Sequence, residues 1–122
     1  APIHAGGLRY HGMSPQVSAI HHRGLIEAKA VPQTKIFESA RRFAQTEGII
    51  AAPEPAHAIY GAELEALAAK ETGVEKTIVF NLCGHGHFDL SAYEDFMAGK
   101  LEDFEYPEEA MAESMSHLPE VD

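Results

Sequence analysis

The sequence predicts an α/β protein built around a parallel sheet. Three observations carry this expectation. Apolar residues recur at helical spacing in two long stretches and one shorter one. Short apolar runs alternate with those stretches. One of them, "KTIVFNL" (76–82), is apolar on both faces, as a central parallel strand is. Helices that alternate with such runs pack against a sheet.

The elements follow in order. Residues 1–14 read as an irregular, glycine-containing loop. "SPQVSAIHHRG" starts a short helix, with Ser14 as N-cap and Pro15 at the first helical position. "LIEAKAV" (25–31) is a plausible strand. In "PQTKIFESARRFAQTEG", Ile36, Ala40, Phe43 and Ala44 share one helical face, Pro32 suits the start and Gly48 the stop. "IIAA" (49–52) is a short strand or a tight link. A second long helix is expected from Pro55 to about Thr72, with Ala56, Ile59, Tyr60, Leu64, Leu67 and Ala68 as its apolar stripe and Gly73 as its end. Asp89 caps a third, carrying Leu90, Tyr93, Phe96 and Met97. The division expected is 1–105 as the body and 106–122 as an acidic tail, with a short exposed helix over 107–117.

Composition narrows the function classes. The chain has 122 residues and a net charge of −10. Such a surface repels phosphate backbones, so nucleic acid is not an expected partner. The single cysteine, Cys83, excludes an internal disulfide and suits a reducing compartment, hence a cytoplasmic setting. No apolar stretch approaches the ~20 residues of a membrane helix, and no signal-peptide pattern opens the chain. The glycine-rich start, "APIHAGGLRYHG", lacks Met and reads as a piece of a longer protein, or a processed or trimmed one.

The chemistry concentrates in "NLCGHGHFD" (81–89). Four readings are open. Cys83, His85 and His87 are metal-ligand types, but tetrahedral zinc needs a fourth ligand and none stands at a recognised spacing. Cys83 as a nucleophile needs a base and an orienting group beside it. As a small apolar residue it would be buried and inert. The fourth reading uses the order strand, small polar residue, glycines. In open α/β sheets, ligands sit beyond the carboxyl ends of strands, and glycines let a flat ligand approach the backbone.

Three blocks resemble a known family: "GLRYHGMSPQVS", "EAKAVPQTKIFESARRFAQTEGIIAAPEPAHAI" and "FNLCGHGHFDLSAY". They are similar, in this order, to the C-terminal part of tryptophan synthase beta chains, most of all the second, divergent type. The resemblance runs to about Glu105. It implies the fold type II architecture of pyridoxal 5'-phosphate (PLP) enzymes, and a lyase that joins indole to serine or O-phosphoserine to give L-tryptophan. The family's "NLSGxG" falls on Asn81–Gly86, so Cys83 stands where a serine meets the pyridine nitrogen, and Gly84 and Gly86 make room for the ring. The thiol is a departure, being the weaker donor. The family's glutamate near the ring falls on Glu54, with Pro55 and Ala56 replacing the usual serines. Arg9 stands where ordinary beta chains carry aspartate, and would grip a phosphate or carboxylate of the substrate. Main-chain carbonyls around Leu8, Tyr10 and Gly12 match a region that binds a monovalent cation in relatives.

The family's Schiff-base lysine and its glycine-rich phosphate cup have no match here. Two classes of function follow. One is the pyridine-ring side of a complete PLP-dependent lyase, with this segment inactive alone. The other is a non-catalytic or split-gene module that acts only with a partner chain. The partners expected are the rest of the same enzyme or a homodimer partner, with small-molecule substrates and no membrane.

Overall fold

A computed structural model describes residues 3–9, 14–103, 112 and 116. Four helices make up its regular structure: α1 (Pro15–His22), α2 (Gln33–Glu47), α3 (Pro53–Thr72) and α4 (Leu90–Met97). Two 3-10 turns, Gly6–Arg9 and Gly86–Phe88, complete it. Of the helix expected over 107–117 only Ala112 and Ser116 are described, both helical; the tail boundary near residue 106 lies outside the described residues, as do Tyr10 and Gly12.

α2 and α3 form the main pair, and α4 closes their N-terminal ends. Ile36, Phe37 and Ala40 of α2 meet Ala56 of α3 and Ala92 and Tyr93 of α4 in one buried cluster. Phe37 is its centre, edge-on to Tyr93 at 5.1 Å and stacked on Phe96 at 5.8 Å. Small alanines let the helices approach, and the aromatic rings fill the space. α2 and α3 each stop at a glycine with left-handed φ, Gly48 at 72° and Gly73 at 67°, a conformation that costs other residues a Cβ clash. Pro53 and Pro55, both buried, hold the first turn of α3, which starts two residues earlier than expected.

Ser14 and Pro32 stand at the N-caps of α1 and α2, and neither side chain caps its helix. Ser14 occupies the N-cap of α1, yet its hydroxyl donates to the Gln16 side chain at 2.8 Å. The start of α2 is satisfied from far along the chain: Asp103 accepts from the Thr34 N–H at 2.9 Å and from its hydroxyl at 2.6 Å. Beside it the Gln33 side chain donates to the Glu102 carbonyl.

The sheet is the main correction. No β-strand occurs among the described residues, and the one bridge joins Ala51 to His85, antiparallel. Residues 25–31 and 76–82, both expected as strands, have no ladder partner. A strand exists only through its neighbours, because its backbone groups bond outside the segment. Neither apolar run meets a second one here. Leu25 is 71% exposed and Val79 89%. Val31 packs against the edge of the core, and Phe80 stands edge-on to Phe43 of α2 at 6.1 Å. The apolar stripe of α3 is likewise used only in part: Ala56 and Ile59 are buried, whereas Leu64, Leu67 and Ala68 are exposed. The family-level α/β expectation is therefore not met by these residues on their own.

A polar link ties α2 to α3 beyond the core. Ser39 donates to Glu63, and Arg42 pairs with Glu63 at 2.6 Å. The Ser39 hydroxyl, then the Arg42 guanidinium, holds the Glu63 carboxyl below its ordinary pKa, against an opposing effect of burial. A carboxylate with a lowered folded pKa stabilises the fold above its unfolded value, about 4.3, and that contribution is lost as pH falls through the folded value. Thermal melts of Glu63→Gln and the parent should therefore differ at pH 6–7 and converge as acid protonates Glu63. A gap that stayed constant down to the acid transition would mean that Glu63 is not the titrating group.

Candidate functional site

Three segments distant in sequence meet at the N-terminal end of α3: the 3-10 turn of residues 6–9, the link 49–52 with the first turn of α3, and the loop 81–88. Most of the residues singled out from sequence fall on them.

The loop is fixed to the link by two backbone hydrogen bonds. The Gly86 N–H donates to the Ile50 carbonyl at 2.7 Å, and the Ala52 N–H donates to the Gly84 carbonyl at 3.1 Å. Only glycine permits so close an approach at 86. A Cβ there would lie 2.6 Å from the Ala51 oxygen and 2.9 Å from Ile50 Cγ2. A Cβ on Gly84 would lie 3.1 Å from the Ala52 Cβ. Both glycines thus face the chain's own backbone and side chains, whatever space they also leave for a ligand.

Cys83, one residue before this junction, is exposed. Its thiol makes no hydrogen bond among the described residues, so the buried, inert reading does not hold. His85 and His87 engage each other: the His85 ring accepts from the His87 N–H at 3.4 Å, and the rings stand 4.8 Å apart. Among the described residues, no group of three or more His, Cys, Asp or Glu is placed to hold a metal ion. His57, on α3, spends its Nδ1 on the Pro53 carbonyl at 2.8 Å.

Glu54 leads the other edge. Its Oε1 accepts from the Gly7 N–H at 3.0 Å, which ties the residue 6–9 turn to α3. Arg9 ends that turn and is exposed. A Cβ on Gly6 would lie 3.6 Å from an Arg9 nitrogen and 3.8 Å from Glu54 Oε1. Cation and anion thus flank the same glycine, although no ion pair joins them among the described residues.

Sequence reasoning took Tyr93 for a core aromatic only. Its ring is core, but its hydroxyl donates to the Ala51 carbonyl at 2.6 Å, inside the protein. Burial, then the Asp89 charge, pushes its pKa up to about 12, so it stays a donor. The available signal was the residue type: a tyrosine at a buried helical position needs a partner for its hydroxyl.

These features define a helical module whose α3 N-terminus carries an open thiol, a carboxylate and an arginine on three converging segments. No family profile matches the chain. It is 58% identical over 111 residues to the tryptophan synthase beta chain of Thermococcus onnurineus, covering 91% of this chain and 25% of that protein. It is 59% identical over 103 residues to tryptophan synthase beta chain 2 of Aquifex aeolicus, covering 84% and 24%. With tryptophan synthase beta chain 2 of Thermococcus kodakarensis it shares 51% over 121 residues, covering 99% and 25%. The chain is homologous to a segment of the tryptophan synthase beta chains, and spans about a quarter of the length of the relatives it matches. Among the described residues, no helix is long and apolar enough to cross a membrane.

Proposed function

We propose that this chain forms the pyridine-ring side of the cofactor site in a PLP-dependent enzyme that joins indole to serine or O-phosphoserine. The observation that carries the reading is the identity of more than half over nearly the whole chain with segments of tryptophan synthase beta chains. PLP, when bound, withdraws electrons from the amino acid so that its β-substituent can be replaced.

The residues present fit one edge of that cofactor. Cys83 offers a neutral, weak donor to the ring nitrogen from an exposed and uncommitted position. A neutral partner leaves that nitrogen less protonated than a carboxylate would, which moderates electron withdrawal. Glu54 lies on the adjoining turn, and Arg9 beside it is suited to grip a phosphate or carboxylate on the donor substrate. The covalent lysine and the phosphate cup come from the remainder of the enzyme, so the chain alone is inactive. In the complete enzyme the runs 25–31 and 76–82 gain strand neighbours, which restores the α/β architecture.

The test uses a complete beta chain carrying this sequence, supplied with PLP, indole and serine. Cys83→Ser should retain tryptophan formation, because a hydroxyl restores the stronger donor. Cys83→Asp should change the ratio of tryptophan to side products by protonating the ring nitrogen. Loss of turnover in Cys83→Ser with PLP still bound would make the thiol a nucleophile. No tryptophan from the PLP-loaded parent would refute the functional reading.

A further inference from the structure

One buried polar group near the site is not used by the proposed chemistry. Tyr93 belongs to α4 and packs edge-on against Phe37, yet its hydroxyl reaches the Ala51 carbonyl. Ala51 is fully buried and lies between the two backbone bonds that hold the loop to the link: Gly86 to Ile50 on one side, Ala52 to Gly84 on the other. Cys83 immediately precedes Gly84, and Glu54 follows Ala52 by two residues. The Ala51 carbonyl therefore stands at the centre of the structure that joins the thiol to the carboxylate.

We infer that Tyr93 is a positioning residue for the cofactor site: by holding the Ala51 carbonyl, its hydroxyl sets the placement of Cys83 relative to Glu54. The inference rests on the proposed PLP reading. The hydroxyl ties the junction to the buried aromatic core. Removing it leaves a buried carbonyl short of a partner and lets the link shift against α4. The ring contacts with Phe37 remain, so the core keeps its packing.

The experiment is done on a complete beta chain carrying this sequence. Alkylation of Cys83 by iodoacetamide is followed on its own peptide by mass spectrometry, with and without PLP, alongside steady-state kinetics. In the parent, PLP should protect Cys83. In Tyr93→Phe, protection should weaken, and kcat should fall about tenfold or more at unchanged KM for serine, as expected for a misplaced cofactor contact. Ile59→Val serves as comparator, since it loosens a buried position outside the cluster that holds Tyr93; at a temperature where it is folded, both readouts should match the parent.

No protection in the parent overturns the cofactor reading, and this inference with it. Protection in the parent that persists unchanged in Tyr93→Phe overturns the role of Tyr93 alone. So does an equal loss in Ile59→Val, which would make the effect one of general stability. If Tyr93→Phe does not fold, amide exchange in the parent decides. The Ala52 and Gly86 amides should exchange as slowly as those in the middle of α2, and exchange at loop rates would overturn the inference.

Discussion

Replacing Phe37 with alanine should destabilise the fold by about 3–5 kcal/mol, the range for truncating a buried aromatic ring. Phe37 has no exposed surface. It touches three rings, those of His4, Tyr93 and Phe96, at 6.1, 5.1 and 5.8 Å. The rest of the buried cluster is largely alanine, with Ile36 and Tyr93 as its other large members. The helices are held by backbone close to backbone, so the space vacated by the ring cannot be filled by a neighbour swinging in. A domain typically has about 5–15 kcal/mol in total, so this loss is a large fraction of it. Urea denaturation followed by circular dichroism at 222 nm measures it. A loss below about 1 kcal/mol would mean that the site collapses around the smaller side chain.

Gly86→Ala is expected to be nearly as disruptive, for a different reason. The residue lacks the left-handed φ that strains other side chains, so the penalty is one of space. Its added methyl would sit 2.6 Å from the Ala51 oxygen and 3.1 Å from the Ala51 carbonyl carbon, both backbone atoms that cannot rotate away. Overpacking of this kind costs about 1–3 kcal/mol. Losing the Gly86–Ile50 hydrogen bond adds about 0.5–1.5 kcal/mol. Gly84→Ala is the internal control, because its methyl would meet side-chain atoms rather than backbone: the Ala52 Cβ at 3.1 Å and the Pro55 ring at 3.9 Å. Thermal melts should rank the parent above Gly84→Ala and Gly84→Ala above Gly86→Ala. Equal melting of the two variants would show that the loop does not lie against the link as closely as described.

What could be read from the sequence divides along a physical line. Helices are local, so periodicity and end signals located α2, α3 and α4 to within two residues, including the glycine stops at 48 and 73. Strands are not local. "KTIVFNL" has the composition of a buried strand, but composition cannot supply the neighbouring chain that makes it one. The residues singled out by type and by family resemblance, Cys83, Gly84, Gly86, Glu54 and Arg9, all lie on the segments that converge at α3. The links that hold those segments were not legible. The Gly7–Glu54, Tyr93–Ala51 and Thr34–Asp103 hydrogen bonds span 47, 42 and 69 residues, and no short pattern encodes such a pairing. The glycines at 84 and 86 illustrate the same limit. Sequence suggested space for a ligand, and the described structure fills the place of their side chains with the chain itself.

The extended run from Thr77 to Leu82 has a consequence for handling the protein. Six consecutive residues carry no charge and no proline, and three of them are β-branched. Their main-chain groups form no ladder among the described residues, and Val79 points almost wholly into water. Such a hexamer has the makings of a steric zipper, in which identical segments from many molecules stack into fibrils. Lys76 on one side is the nearest gatekeeper, and its ammonium is already engaged with Glu65 at 3.1 Å. In the absence of a covering strand, the segment that best marks the interior of a sheet is also the one most apt to seed insoluble aggregates. Dilute solution and a low temperature then become conditions for keeping the polypeptide dispersed.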